Sequence, residues 1–123
     1  ALCEWVVEHL GPDVPMHFSA FHPDWKMLDI PATPAVTLTR ARAIAQASGV
    51  HHAYTGNVHD RNGASTWCHH CGQLLIERDQ YQLGRWQLDS TGCCRHCQSK
   101  LPGKFQTKPG KFGPRRIPVR LGA

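Results

Sequence analysis

The sequence lacks any long apolar run: hydrophobic residues make up 41% of its 123 positions, but they come a few at a time. A bilayer-crossing helix needs about 20 consecutive apolar residues, so no membrane span is expected. Nor does Ala1-Leu2-Cys3-Glu4-Trp5 supply the basic segment and apolar run of a secretory signal. An initiator methionine is missing, and an amphipathic stretch begins at residue 1, so we expect a chain that starts partway through something longer. The 11 glycines and nine prolines are dispersed, which excludes collagen-like and low-complexity classes. Acidic residues are few: nine Asp and Glu stand against 14 Lys and Arg, for a formal net charge of +5. The excess comes from Lys100, Lys104, Lys108, Lys111, Arg115, Arg116 and Arg120, and the chain before them is slightly acidic. That places the charge in a tail, so a nucleic-acid partner is not the expected one.

The six cysteines are unevenly spread, five of them between Cys68 and Cys97. Cys68-His69-His70-Cys71 and Cys94-Arg95-His96-Cys97 form two Cys-x2-Cys pairs. Two residues between thiolates let one tight turn aim both sulfurs at a common point, and two such turns make a tetrahedral all-sulfur site suited to Zn²⁺. Gly72 suits the first turn because a residue without Cβ admits backbone amides to the sulfurs. The second pair is followed by Gln98 rather than glycine, a small departure from the knuckle pattern. Leu74–Arg78 and Tyr81–Leu88 alternate as strands around Asp79-Gln80, so the pairs flank a hairpin, as in a zinc ribbon. Disulfides would need an oxidising compartment, for which no targeting segment speaks, so the expected location is cytoplasmic. Cys93 adjoins Cys94, but Cys94 keeps the two-residue spacing. His69, His70 and His96 are expected to point outward, and Cys3 to pack as a small hydrophobe.

The first sixty residues read as α-β-α-β. A helix over 1–10 ends at Gly11-Pro12, and Val14–Phe21 has strand character. After a loop from His22 to Pro34, a second helix runs to Ser48, with Thr33 as its expected N-cap and Gly49 past its end. Val50–Gly56 is the second expected strand. Two strands and one crossover cannot cover both faces of a parallel sheet, so this part looks like a fragment. Ligands gather at the carboxyl ends of such strands, here Phe21–Trp25 and Thr55–Asp60.

Pro15–Asp24, Tyr54–His59, the two cysteine pairs, Leu101-Pro102-Gly103 and Gly113–Val119 together resemble the C-terminal part of the AmmeMemoRadiSam-system radical SAM enzymes, relatives of pyruvate formate-lyase activating enzymes. The resemblance spans residues 1–120. It implies an α/β fold: a partial parallel βαβ unit from the end of a TIM-type barrel (1–62), a small zinc-ribbon β-hairpin module (63–105) and a basic tail (106–123). It implies Cys68, Cys71, Cys94 and Cys97 as zinc ligands, Asn57 and His59 on the S-adenosylmethionine side, and His22 and Asp24 on the substrate side. A parent enzyme would carry a [4Fe–4S] cluster and S-adenosylmethionine and generate a 5′-deoxyadenosyl radical that attacks an undefined substrate. The Cys-x3-Cys-x2-Cys triplet that holds such a cluster is absent here. By the resemblance it lies upstream of Ala1, and this chain alone is expected to be inactive. Two other readings compete. One is a stand-alone zinc-ribbon module touching nucleic acid or protein through its basic tail; the other is a rubredoxin-like iron carrier.

Overall fold

Leu2, Cys3, Val6, Val7 and Leu10 fall on one face of a helix, and the chain coils accordingly into α1 (Leu2–Leu10), which buries Val6 and stops at Gly11 with φ 89°. The structure, a computed structural model, describes residues 1–111, 113–119 and 121–122. Arg120, the last basic residue of the expected tail, lies outside the described residues. After α1 come β1 (Met16–Ser19), α2 (Ala35–Ala47) and β2 (Ala53–Gly56), and β1 and β2 pair in parallel with Met16 opposite Ala53 and Ser19 opposite Gly56. One sheet face turns Met16, Phe18 and Ala53 toward Cys3, Val7, Ala45 and Val50, which form the first core. Cys3 is half-buried there, as a small hydrophobe should be.

Local differences from the expected elements have physical causes. Thr33 does not cap α2; Pro34 takes that position without a side-chain bond. The Thr33 hydroxyl instead accepts the Phe21 N–H at 2.9 Å, and its own N–H donates to the Phe21 carbonyl at 3.0 Å. That double bond closes the neck of the 21–33 loop. The second strand begins at Ala53 because the preceding amides are used elsewhere: His51 N–H donates to the Pro12 carbonyl at 2.9 Å.

Two short elements were not foreseen, α3 (Arg61–Ala64) and β3 (Thr66–Trp67). β3, β4 (Leu74–Asp79) and β5 (Gln82–Trp86) form an antiparallel sheet in that order. The hairpin turn is Gln80-Tyr81, one residue later than expected, because Asp79 pairs with Gln82. Around it lies a second core of Leu75, Ile76, Leu88 and Leu101, with Cys68 and Cys94 buried among them. This half is therefore a hairpin between two cysteine turns, compatible with a zinc-ribbon-like module. The ribbon leans on the parallel pair: Tyr54 Oη lies 2.9 Å from Thr66 Oγ1, and the Arg78 guanidinium donates to the same hydroxyl at 2.6 Å. Among the described residues no helix is long and apolar enough to cross a membrane.

Candidate metal centre

Two turns of the same construction face each other. In the first, Cys68 N–H donates to the Gln73 carbonyl at 2.8 Å, and Gly72 N–H returns to the Cys68 carbonyl at 2.9 Å. In the second, Cys94 N–H donates to the Ser99 carbonyl at 2.8 Å, and Gln98 N–H returns to the Cys94 carbonyl at 2.8 Å. Gly72 (φ 72°) and Gln98 (φ 63°) occupy the same left-handed conformation. The departure from glycine at Gln98 is accommodated: the turn forms with the same bonds, at the cost of a strained backbone angle.

The four sulfurs converge. Cys68, Cys71, Cys94 and Cys97 place their Sγ atoms all within 4.8 Å of one another. Cys68 and Cys97 sulfurs are 3.6 Å apart, and Cys71 and Cys94 sulfurs 3.7 Å apart. A tetrahedron with metal–sulfur bonds of about 2.3 Å has edges of about 3.8 Å, close to those two separations, so the set has the size a zinc ion needs. No disulfide links them, since all six cysteines are free. Cys94, not Cys93, belongs to the cluster. Cys93 is half-buried beside it, its N–H donating to Asp89 Oδ1 at 3.0 Å.

Electrostatics in the cluster favour a cation. The Ser99 hydroxyl and N–H both donate to the Cys97 sulfur and hold its pKa down at about 5. At Cys71 the Gln73 N–H acts in the same direction, but burial and the three neighbouring thiols outweigh it and push the pKa up to about 12. Four sulfurs this close cannot all ionise unless a metal compensates their charge, which makes the set a receptor for a divalent ion. His69, His70 and His96 are exposed and stand outside the cluster. His69 stacks on His51 with ring centroids 4.5 Å apart, and His51 Nδ1 lies 2.8 Å from Asp13 Oδ1. Beside them His52 is buried with its Nε2 unpartnered, and burial, reinforced by His69, moves its pKa down.

The other expected site residues occupy two places. Asn57 and His59 line an open cleft of about 470 Å³ at the carboxyl end of β2, walled on its far side by Asp79, Gln80 and Tyr81. Asn57 Nδ2 donates to the Ala20 carbonyl at 3.2 Å, tying the ends of the two parallel strands together. His59 Nε2 lies 3.0 Å from Asp79 Oδ1. His22 and Asp24 do not line that cleft; both are exposed in the 21–33 loop, where Asp24 Oδ1 accepts the Trp25 N–H at 2.8 Å. Sequence inspection missed Arg61, Glu77 and Asp79, which meet only through tertiary folding: Arg61 donates to Glu77 Oε1 at 2.8 Å and approaches Asp79 Oδ2 at 3.7 Å.

No family model matches the chain, and no solved structure matches it. An uncharacterized protein of Methanocaldococcus jannaschii, MJ0808, is 42% identical over 101 residues, which cover 81% of this chain and 30% of that protein. The chain is therefore similar, over most of its length, to part of a longer archaeal protein.

Proposed function

We propose that the chain is the C-terminal portion of a radical SAM enzyme and that its four-cysteine ribbon holds a structural zinc ion. The zinc half of the proposal is carried by one observation, the convergence of Cys68, Cys71, Cys94 and Cys97 within 4.8 Å. A site closed by four thiolates leaves no coordination position for a substrate, so the metal's role is to hold the ribbon together. The enzyme half draws support from the residues quoted for the resemblance and from surface left uncovered. Two parallel strands with one crossover expose Leu2 (66%), Trp5 (51%) and Leu10 (57%) of α1, the kind of surface that further strands and helices of a TIM-type barrel would bury. The chain's match to only 30% of the archaeal relative is in keeping with that. S-adenosylmethionine would lie near Asn57 and His59, and His22 and Asp24 would face the substrate; the cluster ligands belong to another segment.

Three measurements test this. The reading frame preceding Ala1 should encode a Cys-x3-Cys-x2-Cys triplet; a start codon immediately before Ala1 contradicts the enzyme half. The purified chain should be colourless with one zinc per molecule, whereas visible absorption from an iron–sulfur chromophore would favour the electron-carrier reading. Binding of DNA or RNA at low salt, where phosphate contacts are strongest, would favour the binding-module reading instead.

A further inference from the structure

We infer that the metal site governs the cleft at the carboxyl end of β2, because the tip of the metal-held hairpin is the second wall of that cleft. Asn57, His59 and Arg61 come from the β2–α3 connection, whereas Asp79, Gln80 and Tyr81 come from the hairpin tip. Six residues of β4 separate the cysteine turns from the tip, a span of about 20 Å at strand rise. Three links join the β2–α3 segment to the hairpin at and behind the cleft. His59 meets Asp79 at 3.0 Å, Arg61 meets Glu77 at 2.8 Å, and Arg78 N–H donates to Ser65 Oγ at 3.0 Å. Glu77 is itself fixed inside the hairpin, where its Oε2 accepts the Arg85 N–H at 3.0 Å and the side chain fills the space over Gly84.

The dependence runs in one direction for a structural reason. α3 has four residues, too few for an isolated helix to persist in water. From the parallel-strand side it is held by Asp60, whose carboxylate accepts the Gly63 N–H at 2.9 Å and the Thr55 hydroxyl at 3.0 Å. From the other side it is held through the ribbon, by Arg78 on the Ala64 carbonyl and the Ser65 hydroxyl, by Glu77 on Arg61 and by the Trp67 indole N–H on the Asn62 carbonyl. A ribbon of roughly 40 residues cannot bury enough apolar surface to fold alone, so losing the metal removes those partners together. The cleft then loses Tyr81, whose ring is 52% exposed, along with the carboxylate that orients His59.

The lining also selects the ligand's chemistry. Asp60 and Asp79 outnumber the one permanent cation, Arg61, which already faces Glu77. A phosphate is therefore disfavoured, and a ligand with hydroxyls, a positive charge and a flat ring to lie on Tyr81 is favoured. S-adenosylmethionine has those features, and naming it rests on the function proposed above.

The test is amide hydrogen exchange on the whole chain in three states: zinc-loaded, chelated, and zinc-loaded Glu77→Gln/Asp79→Asn. Chelation should speed exchange at the Ala64 and Ser65 amides at least tenfold while sparing Ala20, whose N–H bonds the Gly56 carbonyl at 2.9 Å. The double variant should keep its zinc and speed exchange at the same two amides by a smaller factor, because Arg78 still bonds the Ala64 carbonyl and the Ser65 hydroxyl. Unchanged exchange at Ala64 and Ser65 in either case overturns the inference. S-adenosylmethionine added to the zinc-loaded chain should shift the Asn57 and Tyr81 resonances, and Tyr81→Ala should weaken its binding at least tenfold. Equal binding before and after chelation also overturns the inference. No binding, with the exchange coupling intact, leaves metal control of the cleft standing and refutes the S-adenosylmethionine reading.

Discussion

Gly72 and Gln98 occupy equivalent positions in the two cysteine turns, and exchanging their residue types isolates what the left-handed backbone costs. At Gly72 nothing lies within 4 Å of where a Cβ would sit, so Gly72→Gln adds no clash and its penalty is conformational alone. A side-chain-bearing residue at a left-handed angle costs about 1–2 kcal/mol. Because folding of the ribbon and metal binding are one process, that penalty, less about 0.4–1 kcal/mol for the stiffer unfolded chain, appears in the zinc affinity, and at about 1.4 kcal/mol per tenfold the variant should bind zinc up to about fifteenfold more weakly. Gln98→Gly removes the same strain but gains freedom in the unfolded chain, worth about 0.4–1 kcal/mol in the opposite direction. It also loses only a long bond, Gln98 Nε2 to the Arg95 carbonyl at 3.4 Å. The net expectation is affinity unchanged or improved by up to about fifteenfold. Competition with a chromophoric chelator measures both. A Gln98→Gly variant that binds zinc tenfold more weakly, or a Gly72→Gln variant that binds it tenfold more tightly, refutes the claim that the two turns are conformational equivalents.

Cys71→Ser should unfold residues 66–105 and loosen α3, while circular dichroism of α1 and α2 persists; an unchanged near-UV spectrum counts against it. Acid should release the metal, because protons and zinc compete for the same sulfurs. The Ser99 donors hold Cys97 at about 5, so this sulfur should keep competing with protons for the metal down to about that pH. Ser99→Ala removes one donor to the thiolate, which raises the Cys97 pKa and should move the release midpoint to higher pH; a midpoint that stays or falls contradicts the assignment. Lys108→Ala and Arg116→Ala should leave the melting temperature within about 1 °C, since single exposed charges contribute little. A clear shift would mean the tail is packed.

What the sequence revealed depended on how local the determining interaction is. Both cysteine pairs were readable because two residues between thiolates define the turn by themselves. α1, α2 and the parallel strands were readable from periodicity and from Gly11 and Gly49. Thr33 misled: a threonine before a proline is a good cap in isolation, and only the returning Phe21 backbone diverts it. α3 and β3, four and two residues long, carry no period to detect. The cleft's far wall was invisible for a different reason. His59 and Asp79 are 20 residues apart, as are Tyr81 and Arg61, and no local pattern tells which end of β2 the hairpin tip will reach. Asn57 and His59 were singled out through the family resemblance, and both line the cleft.

Native mass spectrometry of the reduced chain, followed by thiol alkylation, addresses the metal centre most directly. It should show one zinc ion per chain, with Cys68, Cys71, Cys94 and Cys97 shielded until a chelator is added and Cys3 and Cys93 modified without it. A chain that carries no metal and alkylates all six thiols at one rate, or that yields disulfides among those four cysteines, would contradict it.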